Sequence, residues 1–117
     1  MQNSDVEWEK WGHANPYYGV TTSNSYLGQS LSDKNRKEFF QSGVELTQTV
    51  FPIIEKHFRE NWIPEMGVDF GCGVGRLAIP LASRCQCVTG LDVSESMLRE
   101  SRANAEKIGT ANIEFIK

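Results

Sequence analysis

The chain has 117 residues, 39% of them apolar and 23% charged, with 12 basic against 15 acidic side chains and a formal charge of -3. That is the sequence of a single domain, and it excludes a second full-sized core, wholesale disorder and a bundle of membrane helices. The charge is also even along the chain, with six basic and seven acidic groups in residues 1–59 and six and eight in residues 60–117, so there is no phosphate-backbone footprint and no nucleic-acid partner is expected.

Residues 1–59 read as helical and loop-rich. Ser4 followed three residues later by Glu7 has the form of a capping box, and Trp8 and Trp11 then share one face of a short helix ending near Gly12. From Asn15 to Gln29 turn formers alternate with Tyr17, Tyr18 and Tyr26, which predicts a loop held by aromatic packing or a flap. Ser32 suits an N-cap for a helix through Phe40, with Ser42-Gly43 as an interruption before a second helical run toward Phe58. Phe40, Val44, Thr47, Phe51, Ile54 and Phe58 fall on one helical stripe, and Pro52 within it predicts a kink or restart.

From Glu60 the pattern changes. Met66–Phe70 reads as a buried strand, Arg76–Ser83 as a helix weakened by Pro80, and Cys87–Leu91 as a second strand. Ser94–Ile108 is a strongly patterned helix stopped by Gly109, and Ile113–Ile116 is a third strand. Strand, helix, strand, helix, strand within about fifty residues implies parallel strands with right-handed crossovers.

Cys72, Cys85 and Cys87 are odd in number and confined to the second half, which argues against a secreted disulfide framework. His13 and His57 lack the spacing of zinc ligands, so no metal is expected. The opening MQNSDVEWEKW is too polar for a secretory leader, and no run approaches the roughly eighteen apolar residues of a membrane span. The expectation is a cytoplasmic chain with no membrane partner.

The informative stretch is Val68-Asp69-Phe70-Gly71-Cys72-Gly73-Val74-Gly75-Arg76. Alternating glycines at a strand-to-helix turn let a ligand lie against bare main chain. The dinucleotide pattern G-x-G-x-x-G fails where Arg76 stands, and the P-loop pattern fails for want of Gly-Lys, which weakens an NAD(P)-dependent oxidoreductase as the alternative. An acid at Asp69 would repel a pyrophosphate but suits a cationic group. Asp92, at the end of the second strand, is placed to accept from a ribose diol, although taken alone it is better read as a helix cap, and the pairing with the glycine turn makes the difference. A ribose near Asp92 and an amine near Asp69, with no pyrophosphate between them, match S-adenosylmethionine.

VDFGCGVGRLAIPLA and VTGLDVSESML resemble the glycine-rich first motif and the ribose-binding second strand of the class I, Rossmann-like S-adenosylmethionine-dependent methyltransferases, over about residues 64–117. The resemblance implies an α/β fold, a three-layer Rossmann-like parallel sheet of which this chain holds the first β-α-β-α-β half. It places Asp69, Gly71, Cys72, Gly73 and Gly75 at the methionine end of the cofactor, Asp92 on the ribose hydroxyls, and Val93, Ser94 and Met97 near the adenine, with Arg76 also among the cofactor-binding residues. WEKWGHANPYYGV resembles the lid of some small bacterial members, giving a division into a helical cap or lid, 1–59, and a cofactor-binding half, 60–117, that stops after the third strand. Two readings follow: a methyltransferase acting on a small-molecule acceptor with no catalytic base demanded, or a non-catalytic cofactor-binding or interaction module. With no fourth strand, the expectation is either that the 117 residues are part of a longer protein or that the isolated chain self-associates through the Met66–Phe70 edge.

Overall fold

The computed structural model describes residues 3–117. Five helices and three strands run in the order α1 (Ser4–Ala14), α2 (Pro16–Thr21), α3 (Asp33–His57), β1 (Met66–Phe70), α4 (Ala78–Leu81), β2 (Cys87–Leu91), α5 (Glu95–Ile108) and β3 (Ile113–Ile116), with a single 3₁₀ turn at Asn24–Tyr26. The strands form one parallel sheet in the order β1-β2-β3. Met66 faces Cys87 and Phe70 faces Leu91 across one ladder, and Val88 faces Ile113 and Leu91 faces Ile116 across the other. The three strands and α5 lie where the hydrophobic pattern predicts them.

One face of the sheet is covered. Val88 and Phe115 point into a core completed by Ala78, Ile79 and Ala82 around α4, Leu98 and Ala105 of α5, and Phe51 of α3. On the opposite face Met66, Val68 and Phe70 are 63%, 55% and 88% exposed. The buried strand expected from Met66–Phe70 is therefore an edge strand with one open side, since period-2 alternation sends these three side chains away from the helices. A second cluster, Tyr17, Phe39, Val74 and Met97, joins α2 and α3 to the turn after β1 and to α5.

The N-terminal half departs from expectation in its boundaries. Asn3, not Ser4, caps α1 by accepting from the Asp5 amide, and the helix runs through Gly12. Trp8 and Trp11 stay largely exposed, and Trp11 packs on Tyr18 with ring centroids 5.4 Å apart. Six residues of the expected loop form the helix α2, started by Pro16 at its first position, where a missing N–H goes unmissed. Similarly, α4 is shorter than the expected 76–83 helix, and Pro80 is tolerated because it sits in its first turn.

The largest difference is α3, which runs unbroken for 25 residues from its Ser32 cap. Pro52 and Gln48 both lie on the exposed side, so the carbonyl that loses its donor is open to water. Phe58, expected to end the buried stripe, is 69% exposed beyond the last turn and meets Trp62 edge-on. Gly43 does not break the helix; it lets α3 approach another backbone, because a Cβ there would lie 2.0 Å from the Arg76 carbonyl oxygen.

Two effects oppose each other at Gly43. Alanine is favoured over glycine in a helix by about 1 kcal/mol, while forcing extra volume into a packed contact costs about 1–3 kcal/mol. The obstacle at Gly43 is backbone, which cannot rotate away, so Gly43→Ala is expected to lower stability. Chemical denaturation checks this: a midpoint above that of the wild type would show that helix propensity outweighs the close approach.

Candidate cofactor site

The chain leaves β1 into a turn with three positive φ values, Gly71 at 78°, Gly73 at 54° and Gly75 at 92°, where side chains are strained. Each glycine answers a different demand. Gly71 has no atom within 4 Å of where a Cβ would stand, so its main chain faces open space; Gly73 lies under Val20 of α2, and Gly75 under Ile79. The turn is tied to the end of β2, whose Leu91 carbonyl accepts from the amides of Gly71 and Cys72, both at 2.8 Å.

Asp92 follows directly. One carboxylate oxygen accepts from the Gly73 amide at 2.8 Å and the other from the Ser94 amide at 2.9 Å. It thus holds the glycine turn and the start of α5 together. Each oxygen has two acceptor positions, so the carboxylate retains capacity for a further donor. Ser94 is wholly buried, and its hydroxyl caps α5 by accepting from the Met97 amide at 3.1 Å.

Between these two turns lies a cavity of about 600 Å³, at the carboxyl ends of β1 and β2. Of the residues singled out from the sequence, Gly71, Gly73, Asp92, Val93 and Met97 line it, whereas Asp69, Cys72, Gly75, Arg76 and Ser94 stand behind the wall. Asp69 turns toward α4, where burial pushes its carboxyl above the ordinary range against the opposing pull of the Ala78 amide and the Arg76 guanidinium. Cys72 is a packing residue: burial, then the charges of Asp92 and Asp69, push its thiol up to about 12. Arg76 reaches α3, donating to the Ser42 hydroxyl at 3.1 Å. A larger hollow, about 880 Å³, lies between α3 and the α4–α5 layer and is lined by none of these residues.

Apart from Phe70, Leu91 and Lys117, the remaining cavity wall comes from the N-terminal helices, from Ser4, Asp5 and Trp8 of α1 and Gly19 and Val20 of α2. What docks α1 here was not visible in the sequence. Glu9 accepts from the Ser94 hydroxyl at 2.7 Å, from the Ser96 amide at 3.2 Å and from the Ser96 hydroxyl. A carboxylate at the amino end of a helix also opposes the positive end of its dipole. The Ser96 hydroxyl is the foremost reason that the Glu9 carboxyl is lowered to about 2. Gly12, one turn on from Trp8, permits the close approach, since a Cβ there would lie 2.3 Å from the Ser94 hydroxyl oxygen. A single acid on an exposed helix carries no sequence signal of this kind; only the docking of α1 on α5 reveals it.

A parallel sheet with a glycine turn after its first strand and an acid closing its second defines a Rossmann-like nucleoside-binding half-domain. Comparison with known proteins agrees with that class. Residues 68–117 match the family described as Methyltransferase domain. A 23S rRNA (uracil(747)-C(5))-methyltransferase of Photorhabdus laumondii is 31% identical over 77 residues, covering 66% of this chain and 20% of that protein. The magnesium-protoporphyrin O-methyltransferase of Synechocystis is 39% identical over 62 residues, 52% of this chain and 27% of that protein. The crystal structure of the Synechocystis magnesium protoporphyrin IX methyltransferase with bound SAM superposes with a TM-score of 0.60 at 20% identity, over 99% of this chain and 54% of that one. Residues 68–117 thus carry the sequence pattern of a methyltransferase domain on a Rossmann-like fold, in line with the resemblance to the class I S-adenosylmethionine-dependent methyltransferases.

Because the Glu9 carboxyl is depressed in the folded chain, its contribution to stability is complete above its ordinary value of 4.5 and is lost as the pH falls toward about 2. Glu9→Gln keeps the shape and removes the charge, and should cost about 1–2 kcal/mol near neutral pH through weakened hydrogen bonds. Thermal melts of both proteins from pH 7 to pH 2.5 check this: the gap should narrow across that window, and a constant gap would show that the charge of Glu9 plays no part.

Proposed function

We propose that the chain is the cofactor-binding part of an S-adenosylmethionine-dependent methyltransferase, with the 600 Å³ cavity between the glycine turn and Asp92 as the cofactor site. The observation that carries this reading is the join of bare Gly71 main chain and the Asp92 carboxylate across one cavity. Gly71 leaves room for a ligand against backbone, Asp92 keeps free acceptor positions for a diol, and Val93 and Met97 offer apolar surface beside it. Asp69, in this reading, acts from behind the turn, by orienting the start of α4. When bound, S-adenosylmethionine supplies a methyl group already activated on its sulfonium. What falls to the chain is alignment and the exclusion of water, and no general base is assigned.

Residues 1–59 are proposed as the lid over residues 60–117, since Trp8, Gly19 and Val20 close the cavity from the N-terminal side. The proposed acceptor is a small molecule. The even charge and the reach of the Synechocystis magnesium-protoporphyrin enzyme, similar both in sequence and in fold, support this. The rRNA methyltransferase among the relatives makes RNA the competing acceptor. Assaying methyl transfer to RNA and to small-molecule acceptor pools distinguishes the two. Among the described residues no helix is long and apolar enough to cross a membrane.

Asp92→Ala should weaken S-adenosylhomocysteine binding by about 1.5–3 kcal/mol, roughly tenfold to a hundredfold. It should also lower stability, because the Gly73 and Ser94 amides lose their acceptor. Calorimetric titration at a temperature where the variant remains folded checks the first effect, and unchanged affinity would remove Asp92 from the site.

The open side of β1 is proposed as a self-association edge, since its outer main-chain groups have no strand partner among the described residues and Met66, Val68 and Phe70 flank it. Light scattering of the 117-residue chain should show dimers or larger species that dissociate in Val68→Lys. A wild-type monomer across the concentration range would remove this edge as an interface.

A further inference from the structure

One buried polar cluster lies outside the cavity, and its hydrogen bonds play no part in the site described above. Tyr17, the first of the three tyrosines between Asn15 and Gln29, is 0% exposed on α2. Its hydroxyl donates to Glu100 Oε1 of α5 at 2.5 Å and lies 3.1 Å from Asn104 Oδ1. From α3, the Arg36 guanidinium donates through Nη1 to the Tyr17 hydroxyl at 2.9 Å and to Asn104 Oδ1 at 2.5 Å. With its carbonyl oxygen so engaged, the Asn104 amide nitrogen donates to the Val74 carbonyl at 3.1 Å. Val74 stands between Gly73 and Gly75 in the glycine turn.

The same helix touches the turn twice. Val20 covers Gly73 so closely that a Cβ on Gly73 would lie 2.6 Å from Val20 Cγ2. One turn earlier, Tyr17 reaches Val74 through Asn104. The peptide that carries the Val74 carbonyl also carries the Gly75 N–H, which donates to the Cys72 carbonyl at 3.0 Å. Fixing one end of that planar unit fixes the other. Burial, and then the Glu100 carboxylate, push the Tyr17 hydroxyl up to about 12, so it remains a neutral donor across the working range of pH.

We propose that Tyr17 is a positioning residue: with Arg36 and Asn104 it locks the Val74–Gly75 peptide, so that α2 and the glycine turn move as one unit. Building on the cofactor site proposed above, this makes the closure of the N-terminal helices and the shape of the turn two readouts of one equilibrium, coupled reciprocally through the Tyr17 hydroxyl. Tyr17→Phe isolates the hydroxyl, since the ring keeps its edge-on contact with Phe39 at 5.1 Å.

Amide exchange on the ligand-free chain tests the lock itself. The Val88 amide, bonded to the Asn112 carbonyl at 2.9 Å inside the sheet, serves as the internal reference for overall stability. In Tyr17→Phe, exchange at Gly75 should rise at least fivefold relative to Val88. In Trp11→Ala, which removes the ring packed on Tyr18 and leaves the cluster intact, exchange at Thr22 should rise while the Gly75 to Val88 ratio stays fixed. An unchanged ratio in Tyr17→Phe overturns the proposal, and so does an equal rise in Trp11→Ala. Should Tyr17→Phe fail to fold, Arg36→Lys, which keeps the charge and loses the two-acceptor geometry, should raise the ratio two- to fivefold, and no rise overturns the proposal. Titration with S-adenosylhomocysteine should show affinity falling five- to twentyfold in the variant that raises the ratio. Absence of binding by the wild type would refute the cofactor site alone, because the exchange comparison needs no ligand.

Discussion

The Asp92 carboxylate holds the centre of this structure, because it closes two turns at once. By accepting from Gly73 on one side and Ser94 on the other, it fixes the angle between the end of β1 and the start of α5. The cavity is the space that this angle leaves. Ser94 then presents its hydroxyl to Glu9, and α1 comes to rest across the same helix start. Were Asp92 apolar, the turn, the helix cap and the seat of α1 would all lose their common reference.

A second constraint is close approach to bare backbone. Gly43 admits the Arg76 carbonyl to the side of α3, and Gly90 lets the Phe115 ring and the Cys72 sulfur lie against β2. These contacts leave no room for a side chain, so the layer of α3 over α4 and the packing of β2 on its neighbours are set by missing atoms. Dense packing of this kind transmits displacement rather than absorbing it, which is why an element remote from the cavity can still shape it.

How much of this was legible in the sequence divides along the chain. The three strands and α5 follow from periodicity and punctuation, and the pairing of the glycine turn with Asp92 follows from a spacing that only a strand-turn-helix unit makes sense of. In the first half, local rules misled. Ser42-Gly43 and Pro52 carry the local marks of helix breaks, yet α3 runs through both, the first because tertiary contact needs a glycine and the second because the affected carbonyl faces solvent. The site was legible in type but only partly in membership. The path of the turn takes Gly71 and Gly73 to the cavity while Cys72 and Gly75 face the core, and Arg76 is drawn off to Ser42. Glu9, Tyr17 and Arg36 owe their roles to partners on other elements, and no spacing along one chain announces those.

The bonds that seat the N-terminal helices join residues far apart along the chain: Glu9 to Ser94 and Ser96 spans 85 and 87 positions, and Tyr17 to Glu100 and Asn104 spans 83 and 87. Both sets of partners lie on or beside α5, so during synthesis α1 and α2 emerge long before anything exists for them to rest on. At about 5–20 residues per second the delay is roughly 4 to 17 seconds, during which helices of 11 and 6 residues are too short to persist alone. These two helices are therefore made well before the helix that seats them, and Glu9 and Tyr17 are without their partners until α5 has emerged.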